Sequence, residues 1–144
     1  MSSHRPVGET RIALTVKDYD ASLRFWRDAL GLAVVEQWEG PSGRGSVLDA
    51  GRATIEVLSA GQADHVEEIE AGGRAPDPVR LALEVEDSEA TAAALVAAGA
   101  TPVAGAVTTP WSHRNVRVRA PNGIQLTLFT VLDTAVGRRP RRSG

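Results

Sequence analysis

The sequence predicts an α+β protein made of two βαβββ modules whose curved sheets pair into a cup, with the helices on the outside. Three observations carry this. RIALTVKD begins at residue 11 and RLALEVED at residue 80, so the same stretch occurs twice at an offset of 80 − 11 = 69. Each copy runs into a stretch with helical spacing that opens after an aspartate and stops at a glycine. Each helix is then followed by three short stretches rich in β-branched residues and separated by turn residues. An internal repeat of this size reads as a duplicated supersecondary unit. One helix on the back of a four-stranded sheet leaves the other face open, and two such sheets side by side can enclose a cavity.

In the first unit, Ile12, Leu14 and Val16 alternate with Arg11, Ala13 and Thr15, the period of a strand with two unlike faces. ASLRFWRDALG follows, with Leu23, Trp26, Ala29 and Leu30 at helical spacing, Asp18 as N-cap and Gly31 as stop. Trp26 falls on the helix core face. LAVVEQW, SVLDAG and ATIEVLS read as strands, punctuated by PSGRG and Gly51. The unit spans 10–59 after an N-terminal arm, 1–9. The stretch 60–78 is polar and rich in Gly and Pro and reads as a linker, though DHVEEIEAG within it suits a short helix.

The second unit, 79–132, repeats the order. RLALEV is a strand, and DSEATAAALVAAGA is a helix capped by Asp87 or Ser88 and ended by Gly99. TPVAGAV, NVRVRA and GIQLTLFTV are strands, with Pro-Asn-Gly as a tight turn between the last two. Residues 133–144 close on GRRPRRSG, a basic stretch broken by Pro140 that cannot bury apolar area and reads as a disordered tail.

Composition narrows the function classes. Lys plus Arg is 16 and Asp plus Glu is 18, a net charge of −2, which argues against a dedicated nucleic-acid binder. There is no cysteine, which excludes disulfides, thiolate metal sites and cysteine nucleophiles. No apolar run is long enough to cross a bilayer, and MSSHRPVGET lacks the apolar centre of a signal peptide, so no membrane partner and a cytoplasmic location are expected. The Ala-, Gly- and Arg-rich composition suggests a bacterial source. No phosphate loop, dinucleotide fingerprint or Ser–His–carboxylate spacing is present.

RIALTVKDYDASLRFWRDALGL, ATIEVL, RLALEVED and WSHRNVRVRAPNGIQLTLF together resemble the vicinal oxygen chelate superfamily, the glyoxalase / bleomycin resistance protein / dioxygenase group, from Thr10 to Val131. The resemblance implies paired βαβββ modules and a homodimer. It also implies four positions at the cup centre, where the superfamily's enzymes hold a divalent metal with His or Gln, Glu, His and Glu. Here these positions carry Arg11, Glu56, Arg80 and Thr127. Guanidinium has no lone pair to offer, threonine is a weak neutral ligand, and one carboxylate beside two cations does not hold a divalent ion. Neither a metal nor any other cofactor is therefore expected.

Strand parity turns Arg11, Glu56, Arg80 and Thr127 toward the cup. Two roles suit them. Glu56 can bridge the arginines as a buried ion cluster that adds little net stability. Alternatively, an arginine can grip an anionic or carbonyl group of a ligand with both arms of its fork. Trp38 and Trp111 are candidate rim aromatics for stacking on a flat ligand, or covers for apolar edges, and Gln125 and Phe129 are further ligand-binding candidates. His113, the one histidine near the predicted cup and also a ligand-binding candidate, and Glu84, on the cup face of RLALEV, are the candidate acid–base residues.

The expected function is metal-free binding of a small molecule, of the kind the bleomycin-resistance branch performs in sequestering a natural product or antibiotic. The alternative is a lyase, isomerase or dioxygenase of the same fold that uses acid–base residues or a non-standard metal site.

Overall fold

A computed structural model describes residues 9, 11–53, 56 and 58–132. Helix α1 (Tyr19–Leu23) continues into a π-helical turn, Arg24–Ala29. Strands β1 (Val34–Gly40) and β2 (Gly43–Leu48) form an antiparallel hairpin. After α2 (Ala60–Ala71) come β3 (Arg80–Glu84), α3 (Ser88–Ala97), β4 (Thr101–Thr108), β5 (His113–Arg119) and β6 (Gln125–Val131). These last four strands form one sheet in the order β3-β6-β5-β4, with β3 parallel to β6 and the other pairs antiparallel. The architecture is the expected mixture of helices and sheet; among the described residues it has six strands in two sheets that do not close on each other.

The repeat is visible at the helix starts. Asp18 Oδ1 accepts from the Ala21 N–H at 3.0 Å, and Asp87 Oδ1 accepts from the Ala90 N–H at 3.0 Å, the same cap 69 residues apart. Gly31 (φ 92°) and Gly99 (φ 118°) follow the two helices in the left-handed region that glycine enters at no steric cost.

The second unit carries the complete four-stranded sheet. Leu126, Leu128 and Val118 point to one face and are buried against Leu95 and Ala92 of α3. Phe25 and Trp26 of the π-turn join this core, edge to face with ring centres 5.1 Å apart. The wider turn brings both consecutive aromatics inward, where a regular helix would turn Phe25 aside. Burial of these apolar side chains supplies most of the drive to fold, at about 1.5–3 kcal/mol for each large one.

Residues 11–16, expected as a strand, pair in no ladder among the described residues. In the second unit the first strand, β3, lies on the last, β6. The counterpart of β6 is ATIEVLS, of which residues 54, 55 and 57 lie outside the described residues. The N-terminal arm (apart from Glu9) and the basic tail also lie outside them.

The segment expected as a linker holds the twelve-residue α2, longer than the short helix its sequence suggests. Ser59 caps its start by accepting from the Gln62 N–H at 3.3 Å. Its end closes on two left-handed glycines, Gly72 (φ 70°) and Gly73 (φ 83°), with the Gly73 N–H donating to Glu67 O at 2.9 Å. The helix packs on the face of the large sheet opposite α3, the face expected to line the cup. Its buried residues are Val66, Glu67 and Glu70.

Candidate functional site

Alternation along β3, β5 and β6 sorts their side chains cleanly. Leucines and valines turn to α3, while Arg80, Asn115, Arg117, Gln125, Thr127, His113 and Phe129 turn to the other face. Among the described residues this face is the site with the most concentrated chemistry.

Arg80 and Thr127 meet across the parallel β3–β6 pair, with Arg80 Nη1 donating to Thr127 Oγ1 at 2.6 Å. Burial holds the Arg80 guanidinium below its ordinary pKa, Arg117 pushes it the same way, and Glu70, Glu67 and Glu56 oppose both. Guanidinium is not deprotonated in proteins, so Arg80 stays a cation at neutral pH.

Beside it lies a buried ion cluster. Arg117 is 1 % exposed. Its Nη1 donates to Glu67 Oε2 at 2.7 Å and to Gln125 Oε1 at 2.9 Å. Its Nη2 and Nε both reach Glu70 Oε1, at 2.8 and 3.2 Å, and Asn115 Nδ2 donates to Glu70 Oε2 at 2.8 Å. Two oxygens in this cluster, Glu67 Oε1 and Asn115 Oδ1, are buried without a hydrogen-bond partner among the described residues. Gln125 extends the network outward, its Nε2 donating to Asp77 Oδ2 at 3.1 Å, which also takes Arg119 Nη1 at 3.1 Å. Burial raises the Asp77 pKa, but the hydrogen bonds from Gln125 and Arg119 outweigh it, and the net shift is downward.

The other sequence candidates divide. His113 is 2 % exposed and stacks on Phe129 with ring centres 4.8 Å apart. Trp111, half-buried, lies in the β4–β5 turn beside Ser112 (φ 64°), a non-glycine residue in the left-handed region. Glu84 is exposed on β3, and Glu56 is exposed with its charge felt at Arg80.

Arg11 does not join the site. Its side chain is 56 % exposed, its Nε donates to Glu9 at 3.0 Å, and its Nη2 lies 3.9 Å from Glu36. Trp38 lies across the hairpin over Gly45 and faces a groove of about 580 Å³ beside Tyr19, Arg24 and Arg44, away from Arg80 and Thr127.

A buried ion cluster forms around Arg117, through Glu67 and Glu70 of α2. These residues were not singled out in the sequence. Two signals mark them: NVRVRA alternates polar and apolar residues, so Asn115 and Arg117 share a face, and Glu67 and Glu70 sit one turn apart on one side of a helix.

The divalent-metal donor set does not fit here. Two of the four positions hold guanidinium groups, one of them exposed, and a third holds a threonine engaged with Arg80. Among the described residues no three His, Cys, Asp or Glu side chains cluster so as to hold a metal. None of the described helices is long and apolar enough to cross a membrane.

The sheet order, the repeated caps and the four positions define one class of protein. Residues 10–128 match the family model described as Glyoxalase/Bleomycin resistance protein/Dioxygenase superfamily. The chain belongs to that superfamily.

Solved structures with the same fold include a glyoxalase family protein from Bacillus cereus, 17% identical, covering 92% of this chain and 99% of its own, with a TM-score of 0.57. A glyoxalase/bleomycin resistance protein/dioxygenase family enzyme from Burkholderia phytofirmans is 21% identical over 81% of this chain and 93% of its own, with a TM-score of 0.55. A superfamily member from Sphaerobacter thermophilus is 20% identical over 81% of this chain and 91% of its own, with a TM-score of 0.53. At these identities the likeness is one of fold. No curated protein sequence matches the chain.

Proposed function

We propose that this chain is a small-molecule-binding member of the superfamily in which a guanidinium group, instead of a divalent metal, meets the ligand. The observation that carries this reading is the Arg80–Thr127 pair at 2.6 Å, a cation and a hydroxyl at two of the four positions where metal-using relatives place their ligands. A planar guanidinium fork suits a carboxylate, phosphate or polarised carbonyl, and partial burial strengthens the interaction by thinning the water around it. The ligand expected is therefore an anionic small molecule such as a natural product bearing an acid group. An enzyme working through His113 is less well supported, because at 2 % exposure and stacked on Phe129 the imidazole does not reach a substrate.

A thermal-shift screen of anionic, cationic and aromatic small molecules tests the reading, repeated on Arg80→Met. A ligand at a hundredfold excess over its Kd stabilises the folded state by about 2.7 kcal/mol, or roughly 5–10 °C for a chain of this size. Anionic hits that vanish in Arg80→Met are expected. Hits confined to cations, or anionic hits unchanged in Arg80→Met, would overturn the proposal, as would a hit that is consumed over time.

A further inference from the structure

We propose that α2 is a built-in competitor for the ligand: Glu67 and Glu70 stand on Arg117 where a doubly charged oxyanion would bind, and that ligand displaces the helix. The inference rests on the proposed anion-binding function and adds the ligand's charge and the device that controls access to it.

The buried side of α2 is the first reason. A helix docked for stability presents apolar residues to the sheet. Here Val66 is accompanied by two carboxylates, Glu67 and Glu70, at 3 % and 2 % exposure. What they meet is an assembled oxyanion cradle, in which three guanidinium N–H groups and the Asn115 amide aim at carboxylate oxygens over 2.7–3.2 Å. The cradle stands ready on strands, and Gln125 Oε1 braces it by accepting from Arg117 Nη1 at 2.9 Å.

Second, the fit is imperfect. Among the described residues Glu67 Oε1 and Asn115 Oδ1 are buried with no hydrogen-bond partner, and such a group raises the energy of the docked state. An oxyanion of better shape, or water admitted when α2 leaves, satisfies them.

Third, the exchange is close to balanced. Buried ion pairs roughly break even against solvation, so replacing a helix carboxylate by a ligand carboxylate swaps one such pair for another while the glutamates regain water. Gly72 and Gly73, both at positive φ directly after α2, provide a pivot that glycine permits.

Charge then sets the ligand class. Glu67 and Glu70 bring two carboxylates to Arg117, and both act on Arg80 as well. Release of α2 takes these two negative charges off the face. A dianion, either a dicarboxylate or a phosphate group, replaces both, whereas a monoanion replaces one.

Hydrogen exchange of the wild-type chain, with and without saturating glutarate or inorganic phosphate, tests this without any substitution. Release of α2 is expected to speed exchange of its amides about tenfold or more, with β5 and β6 unchanged or slower. A response to phosphate alone assigns a phosphate-type ligand, and a response to glutarate alone a dicarboxylate; each supports the proposal. Titration of Glu67→Gln, which keeps the Arg117–Glu70 pair while weakening the competitor, is expected to give a Kd severalfold lower than wild type. An anion that binds while α2 stays protected, or binds Glu67→Gln no more tightly, overturns the competitor and leaves the binding function standing. No binding of either dianion by wild type or Glu67→Gln, together with an anion screen without hits, overturns both.

Discussion

Arg117 and Glu70 form a bidentate-like pair, with Nη2 and Nε at 2.8 and 3.2 Å from one carboxylate oxygen, and both side chains are 0% exposed. The pair joins β5 to α2 across 47 residues of sequence. It fixes what covers the polar face of the large sheet, and hence what any ligand meets first.

Removing one partner of such a pair strands a charge. Glu70→Ala leaves Arg117 Nε and Nη2 without their acceptor, with Nη1 still held by Glu67 and Gln125, and takes the acceptor from Asn115 Nδ2; it is expected to cost about 3–5 kcal/mol. Replacing the set together, Arg117→Met with Glu67→Gln and Glu70→Gln, is expected to cost much less than Glu70→Ala. Urea unfolding of the two variants against wild type measures the difference.

Arg80 differs from Arg117 in its surroundings. Burial and the neighbouring Arg117 both oppose its charge. Arg80→Met relieves that opposition but leaves the buried Thr127 hydroxyl without its donor, and is expected to cost about 1–3 kcal/mol. Thermal unfolding checks this, and an Arg80→Met protein that still folds makes loss of anion binding attributable to the guanidinium.

Asp77 gives the chain an acid-sensitive clamp. Its pKa is lower in the folded state than when unfolded, so the unfolded chain binds its proton more readily. The stability it contributes is present above its unfolded pKa of about 3.9 and is lost as pH falls through the lower folded value. Asp77→Asn is therefore expected to be less stable than wild type at neutral pH, with the gap closing below about pH 4. Melting temperatures of both proteins between neutral pH and about pH 3 test the sign.

Gly45 faces Trp38 across the β1–β2 hairpin, and a Cβ there would fall inside the indole ring. Gly45→Ala is expected to push Trp38 off the hairpin and to cost about 1–3 kcal/mol, the range for overpacking. Calorimetry reads the loss. Faster exchange of the hairpin amides, with the β3–β6 sheet unaffected, localises it.

The sequence made the repeat, both aspartate caps and the facing of β3, β5 and β6 legible, because each depends on residues a few positions apart. Gly31 and Gly99 marked the helix ends for the same reason. The π-turn at Arg24–Ala29 was not legible, since Phe25 and Trp26 fit a regular helical stripe at Trp26 alone. Nor was the docking of α2: an acidic stretch followed by two glycines reads as a solvated linker until a buried arginine 47–50 residues away is known to receive it. The candidate site was legible at Arg80, Thr127, Gln125, His113 and Phe129, all on one sheet face. It was not legible at Arg11, whose exposure reflects contacts with Glu9 and Glu36 that strand parity does not show.

The measurement that bears most directly on the central claim is a titration of the chelator-treated protein with zinc, manganese and nickel, followed by removal of free ion and analysis of what remains bound. With guanidinium and hydroxyl groups at Arg80 and Thr127, two of the positions the resemblance assigns to metal ligands, retained metal is expected to be far below one ion per chain, with no rise in melting temperature. One ion retained per chain, lost on substitution of Glu56, would contradict the account.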